Sequence, residues 1–509
     1  MASDNKTIAK NTIFLYFRMM VTMVISLYTS RVVLQILGID DYGIYNAVGG
    51  IVGFLAFLNS ALSGGTARFL TYELGTGNKE KLNNTFSTTL TVHIIIALVV
   101  VTLGETLGLW YFNNIMVIPA DRFDAASVVF HLSMLTATIT IVTVPFSASI
   151  ISHEKMKFFA YVGIIEAVSK LTIVFALTLG GIDRLVLYSV LLLLVQLSIF
   201  LFYVLYCLHH FQEARGRLFF IDNQLFKEIF SFSSWSLIAG SATALNSQGI
   251  LLLLNYFFAP AVVAARTISL TVNNIANQFV NNFRTAANPQ IVKKLAVGDI
   301  EGSHHLLLQS TLFSYYLMFI LCLPICLLAS PLLHLWLVEV PEYTIPFLQL
   351  VIIQSLFQVF DASFYTALYA KGRIKENAMI SPTMLVLMFP VVFVLFRLGF
   401  SPLALSWASL ITFAFAGCII KPVLLVKLAD YTWPEILNVF RKCFQVSIVA
   451  IPIPLAAYLV FDIDNNILYA GCLLVLSVSC ACASIWFLGL TQPMKQLLVV
   501  SVKNKLHLG

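Results

Sequence analysis

Charge is what this sequence has least of. Asp, Glu, Lys and Arg make up 11% of the 509 residues, against 59% apolar residues, whereas soluble domains carry roughly 25% charged residues. No polar stretch is long enough to cover a soluble core. The start, MASDNKTIAKNTIF, lacks a short apolar core followed by a small-residue cleavage site, so a removable signal peptide is not expected. A GxxxxGK[ST] phosphate loop is missing, which argues against direct use of ATP. The longest outer link, Ser330–Ile345, has no Lys or Arg and only two acids, Glu339 and Glu342. Such a loop is poor ground for the catalytic groups of a membrane glycan polymerase or ligase, so no catalytic residue and no enzyme activity are expected. The eight cysteines all fall within or at the edges of apolar runs, which excludes a disulfide framework. Cys322/Cys326 and Cys480/Cys482 lack nearby His or acidic ligands, so neither a metal nor another cofactor is expected, and nothing points to a nucleic-acid partner.

What is present is apolar length. Runs of about 20 apolar residues recur from end to end, the signature of an all-α, polytopic membrane protein. About fourteen spans are read, at 11–37, 43–73, 85–111, 125–151, 158–180, 185–208, 229–254, 259–288, 304–329, 345–369, 378–398, 402–421, 441–461 and 466–489. They group as an N-terminal six-helix bundle (1–210), an interfacial linker (211–228), a C-terminal six-helix bundle (229–430), and two additional helices with a tail (431–509). The stretch before Lys81 and the stretch 229–299 share a layout, each ending in a basic loop with a Gly-Asn or Gly-Asp pair (Gly77-Asn78 and Gly298-Asp299), which reads as a parallel internal repeat.

The basic residues set the orientation. Of the 30 Lys and Arg, 21 fall on the side that carries both ends of the chain, Lys421 among them. The opposite loops hold Arg122, Arg184 and Arg397, and are otherwise acidic, with Asp40, Asp41, Asp121 and Asp183 among the acids. The excess of basic groups puts both termini in the cytoplasm. The linker mixes aromatic and basic residues, so part of it is expected along the membrane surface.

Several residues do not belong in lipid. Leu37–Lys81 is of spanning length yet rich in Gly, Ser and Thr and carries Arg68, as a helix lining a polar interior would. Arg18 and Arg31 lie in the first span, Lys170 in the fifth, and Arg266 and Arg284 in the eighth. The embedded acids are Glu105, Glu166 and Asp361. In the eighth span Asn274, Asn277 and Asn281 recur at helical spacing and share a face. Lipid offers such a stripe no partners, so it lines a hydrated cavity or a tight helix seam; the two arginines on the same helix favour the cavity. Bland readings stand beside these: Glu166 and Lys170 can pair along their own helix, and Arg18, Arg31, Arg68 and Arg284 can snorkel to an interface. Six embedded bases against three acids still leave a surplus of positive charge, which wants an anion, and guanidinium forks suit phosphate oxygens. The asparagines and aromatics suit sugars, so a large amphiphilic anion such as a phosphate-linked glycolipid is expected. Asp361, embedded without an obvious local base, is the foremost candidate for ion coupling, followed by Glu105; His93 is read more simply as hydrogen-bonded within the bundle.

Three stretches carry a family resemblance: TSRVVLQILGIDDYGIYN (Thr29–Asn46), GTARFLTYELGTGNKEK (Gly65–Lys81) and AANPQIVKKLAVGD (Ala286–Asp299). They resemble the polysaccharide and O-antigen flippases of the multidrug, oligosaccharidyl-lipid and polysaccharide exporter superfamily. The resemblance implies two six-helix bundles around a central cavity that opens alternately to either side, with fourteen spans in members that carry two C-terminal additions. It implies movement of an undecaprenyl-diphosphate-linked oligosaccharide across the bacterial cytoplasmic (inner) membrane during surface polysaccharide biosynthesis. Membrane lipids, a polysaccharide polymerase and glycosyltransferases would be its partners. By position, Arg18, Arg31, Arg68, Arg266 and Arg284 would hold the diphosphate. Lipid II flipping demands the same anion logic, whereas a drug/cation antiporter of the superfamily needs a net acidic cavity.

Overall fold

The computed structural model describes residues 2–55, 57–153, 155–177, 183–215, 220–222, 225–227, 245–296, 298–371, 374–461, 467–492 and 494–496. Among them there is no strand. In a hydrocarbon solvent each backbone N–H and C=O must be satisfied inside its own segment, and the helix does this. Hydroxyls in the spans follow the same rule by bonding back to the preceding turn: Thr89 donates to the Thr85 carbonyl at 2.9 Å and Thr143 to that of Ile139 at 2.7 Å.

Among the described residues ten helices are long and apolar enough to cross a membrane, making this a multi-pass, all-α membrane protein. The expected spans not among the ten are 43–73, 229–254, 259–288 and 378–398. The first is divided at residue 56, outside the described residues, into α-helices Ile39–Leu55 and Phe57–Thr76, and the third is helical but carries the polar asparagine run. Much of the second lies outside the described residues, and the fourth is represented by a shorter apolar helix, Thr383–Arg397.

The chain forms two compact units. Unit one comprises residues 1–267 and 385–396. It contains α1 (Ala2–Leu37), α2 (Ile39–Leu55), α3 (Phe57–Thr76), α4 (Lys79–Leu103), α5 (Phe123–Ser152), α6 (Met156–Ala176), α7 (Arg184–His210) and α8 (Ile250–Phe257). Helix α5 is its axis, packed by α2, α3, α4 and α7. Toward the start of α5 the core is built on Ile44, Val48, Phe112 and Phe130; toward its end, on Leu70, Phe86, Phe146 and Cys207. Gly43 allows α2 to approach Pro260 so closely that a Cβ there would sit 2.1 Å from the proline carbonyl oxygen.

Polar nodes close both ends of α5. Just before it, the Arg122 guanidinium donates through Nε to Asp41 at 2.7 Å and through Nη1 to Asp183 at 2.6 Å, tying the α1–α2 and α6–α7 turns together. At its far end Ser149 and His153 hold Glu213 of the linker. The described part of that linker then runs back along α4. Thr91 donates to the Phe220 carbonyl, Thr88 accepts from the Asp222 N–H, and Leu225 and Phe226 pack near Val92. It is thus docked on protein rather than laid free along a surface.

Unit two comprises residues 268–384 and 397–509. The boundary falls within α9 (Pro260–Ala296). Unit two contains α10 (Ile300–Leu327), α11 (Ala329–Trp336), α12 (Thr344–Ala370), part of α13 (Ile374–Arg397), α14 (Ala404–Phe415), α15 (Lys421–Leu428), α16 (Trp433–Ala450), α17 (Pro452–Val460) and α18 (Ile467–Ser484). Helices α10 and α12 pack on each other; α14 and α15 cover α12, and α16 and α18 cover α10. Tyr315, Phe360, Phe364 and Phe440 form the aromatic centre, with Tyr315 on Phe360 at 5.3 Å and Phe360 on Phe440 at 4.8 Å.

The two Gly-Asn/Asp pairs fold alike. Gly77 and Gly298 adopt φ of +72° and +82°, which residues with a Cβ rarely adopt. The next residue then caps a helix: Asn78 accepts from the Lys81 N–H at 3.0 Å, and Asp299 from the Gly302 N–H at 2.9 Å.

The twelfth span, read as ending at Lys421, runs on past it. A π-turn, Ala416–Ile420, joins α14 to α15, the helix continues to Leu428, and Lys421 is 1% exposed. Lys421-Pro422 reads as a helix end because the residue before proline disfavours the helical region. Here the widened turn precedes the proline and lets the helix run on.

Candidate functional site

Helix α12 presents Ser355, Gln358, Asp361 and Tyr365 at spacings of three and four, hence on one face. Opposite lies the asparagine-rich half of α9. Asn273 Oδ1 accepts from Ser355 Oγ at 2.6 Å and from Asn277 Nδ2 at 3.2 Å. Asn277 Nδ2 also donates to Ser355 Oγ at 3.0 Å. Further along, Thr366 donates to Asn288 Oδ1 at 3.3 Å. The expected stripe therefore divides. Asn277 joins Asn273 in the seam between α9 and α12, while Asn274 and Asn281 are exposed. Asn273 belongs to the asparagine run of the eighth span but not to the face read there, and Ser355 carries no signal in the sequence; only the pairing of the two helices gives them their roles.

Asp361 does have a base. Its Oδ1 lies 3.2 Å from Lys421 Nζ, and the lysine also stands over the Tyr365 ring at 5.7 Å. The expectation of an acid without a local base fails because Lys421 was read at the end of its span. Gly417 makes the approach possible: a Cβ there would fall 2.6 Å from the Phe357 carbonyl oxygen. The π-turn thus seats its backbone directly on α12, and π-turns recur at functional sites.

Arg284 lies further along α9. Its Nη2 donates to Asn281 Oδ1. Among the described residues its buried Nε and Nη1 have no hydrogen-bond partner. Two unfilled donors on a planar fork in a poorly solvated setting make a receptor for oxyanions.

The other expected residues are placed as follows. Arg266 is buried in the first part of α9, 4% exposed, within unit one. Arg31 is partly buried in the last turns of α1. The side chains of Arg18 and Arg68 lie outside the described residues. Lys170 pairs with Glu166 at 2.6 Å along α6. Glu105 sits on the π-turn Gly104–Gly108, well exposed and 3.5 Å from His131, rather than enclosed by other helices. His93 is fully buried, its Nδ1 donating to the Thr89 carbonyl at 2.8 Å.

Known structures share this architecture. Lipid II flippase MurJ in an inward-closed conformation superposes with a TM-score of 0.71 at 13% identity, over 94% of this chain and 98% of that one. An inward-facing multidrug resistance MATE family transporter of the MOP superfamily gives 0.62 at 12% identity, over 85% and 99%. A MOP superfamily transporter from Pyrococcus furiosus, described as having a binding pocket of reversed polarity, gives 0.59 at 15% identity, over 84% and 97%. At such identities the likeness is one of fold. A sequence search of curated proteins returns no significant match. The family model for polysaccharide biosynthesis proteins matches residues 8–295, more than half of the length, so the chain belongs to that family and shares the fold of these transporters.

Proposed function

We propose that this protein moves an undecaprenyl-diphosphate-linked oligosaccharide from the inner to the outer leaflet of the bacterial cytoplasmic membrane, by alternating access, for surface polysaccharide assembly. The observation that carries the proposal is Arg284, on the helix of the polar α9–α12 seam, whose buried Nε and Nη1 lack partners among the described residues. A diphosphate offers several acceptor oxygens to such donors, and the amide and hydroxyl groups of Asn277, Asn281 and Ser355 suit sugar hydroxyls. In this reading Arg18, Arg31, Arg68 and Arg266 offer further cations to the head group during transport. Both termini are cytoplasmic, because the basic loops stay with the cytosol. The anionic head then moves outward down an inside-negative potential, worth about 2.3 kcal/mol per charge per 100 mV. Glycosyltransferases supply the cargo and a polymerase consumes it.

The test is reconstitution. Proteoliposomes loaded with a fluorescent undecaprenyl-diphosphate oligosaccharide should expose it to an external glycosidase at a rate that Arg284→Gln lowers at least about tenfold, the scale of losing a charge-assisted hydrogen bond in a dry site. Transport of a cationic dye with no movement of the glycolipid would refute the proposal. A second reading, lipid II flipping, is favoured by the superposition on MurJ over 94% of the chain. Offering both lipids in the same vesicles separates the two by relative rate.

A further inference from the structure

Lys421 and Asp361 form an ion pair of 3.2 Å between α15 and α12, and its two members differ in accessibility. The lysine side chain is 1% exposed, whereas that of Asp361 keeps a quarter of its surface open. The oxygen that the ammonium meets, Oδ1, is itself buried. The Tyr365 ring, one turn further along α12, takes the same ammonium over its face at 5.7 Å. Backbone contact sets the position of the lysine. A Cβ on Gly417 would lie 2.6 Å from the Phe357 carbonyl oxygen, 3.3 Å from Phe360 Cβ and 3.5 Å from the Asp361 backbone N. The π-turn Ala416–Ile420 thus seats its glycine on the very turn of α12 that carries the acid, and Lys421 opens the helix that follows.

A carboxylate beside an aromatic face, inside a membrane-spanning bundle, has what a small monovalent cation seeks: a negative charge, a ring that attracts cations and little competing water. Here the place is filled from within. We propose that Asp361 is a monovalent-cation site whose standing occupant is the Lys421 ammonium, so that the chain supplies its own counter-ion and takes up no sodium or potassium ion at this acid. An acid buried alone is costly. An ammonium tethered on the facing helix meets it at an effective concentration that a dissolved ion does not match. Lysine suits the place because its charge is compact and its stem apolar, whereas a guanidinium is broad and planar. The acid that stood out as the foremost candidate for ion coupling is then a fixed charge of the scaffold, and no sodium or potassium gradient is coupled through it. The inference holds whatever the cargo.

The experiment uses the full-length protein in lipid nanodiscs at about pH 8.5, which favours the ionised carboxylate. Sodium, propylammonium or the bulkier choline is supplied as the chloride at equal ionic strength. Wild type should melt at one temperature in all three. Lys421→Ala should melt at least about 5 °C lower in choline, since breaking a buried pair from one side is strongly destabilising. Propylammonium, the size of the segment lost, should return most of that difference, and neutral 1-propanol none of it. Asp361→Asn/Lys421→Ala, with no acid left to neutralise, should ignore propylammonium. Lys421→Met keeps the apolar stem and loses only the charge, and so covers the case in which Lys421→Ala does not fold. It should bind radioactive sodium at least about tenfold more tightly than wild type, within the usual range of coupling between two ligands. Sodium binding by the wild type that Asp361→Asn removes overturns the inference. So does a propylammonium response that persists in the double variant, or the absence of any cation response in both Lys421→Ala and Lys421→Met. Each of these outcomes leaves the anion-flippase reading as it stands.

Discussion

His153 Nε2 donates a 2.6 Å hydrogen bond to Glu213 Oε1, and Ser149 Oγ donates to the same oxygen at 3.0 Å. The imidazole also lies flat on Phe211, 4.0 Å between centroids at an interplanar angle of 5°. These contacts clamp the first turn of the linker to the end of α5. Burial alone would push the Glu213 carboxyl up, but the bond from His153, the backbone N–H, and Ser149 outweigh it and hold the group below its ordinary value of 4.5. A carboxyl depressed in the folded state stabilises above its ordinary range, and that contribution is lost as pH falls through the lowered value. Glu213→Ala should therefore loosen the clamp at neutral pH by about 1–3 kcal/mol, the cost of leaving buried donors unmet. Amide exchange at residues 211–215 should speed up accordingly, and in wild type the protection of the same amides, relative to intrinsic exchange at each pH, should fall on acidification. Unaltered exchange in the variant would show that the clamp contributes nothing.

At the other end of α5, Arg122 is shared by Asp41 and Asp183. The two carboxyls differ. Burial pushes Asp41 above its usual value despite the arginine, whereas at Asp183 the bonds from Arg122 and from the Val186 and Leu185 N–H groups overcome burial and hold it below. Arg122→Ala should lower the melting temperature in detergent, by the equivalent of roughly 1–3 kcal/mol. Arg122→Lys should recover only part, because an ammonium cannot fork to two carboxylates. Full recovery by lysine would mean that charge alone matters.

Gly417→Ala places a methyl group 2.6 Å from the Phe357 carbonyl oxygen. Overpacking of this kind costs about 1–3 kcal/mol. The added strain should push α15 away from α12 and separate Lys421 from Asp361. Labelling of Lys421 by an amine-reactive reagent should rise in the variant while Lys157, in unit one, is unaffected; equal labelling of Lys421 in both proteins would show that the π-turn absorbs the methyl.

The α9–α12 seam yields an internal control. Asn273→Ala removes the acceptor for both Ser355 and Asn277 and should cost about 0.6–2 kcal/mol, the measured scale of interhelical hydrogen bonds in membranes. Asn274→Ala, one residue along on an exposed position, should change thermal stability little. Equal losses would mean that the network is not what distinguishes the two sites.

Much of this was legible in the linear order of residues. Apolar runs of spanning length dictate helices because lipid offers the backbone no partner. The local pairing of Glu166 with Lys170, the hydrogen-bonded His93, and the turns at Gly77-Asn78 and Gly298-Asp299 are short-range events, decided within one helical turn, so spacing alone exposes them. The course of the helix past Lys421-Pro422 was not legible in this way, because a π-turn that inserts a residue into the helix cannot be seen from composition.

Helical membrane architecture, the basic and acidic loop asymmetry, and a surplus of embedded arginine were thus properties of the chain as written, since each depends on residue type and nearest neighbours. Which asparagine enters a seam, which carboxylate meets which base, and where the linker docks depended on helices distant in sequence coming together. Asp361 and Lys421 are sixty positions apart, and only the packing of α15 on α12 turns a lone acid and a lysine at the end of a span into a buried pair.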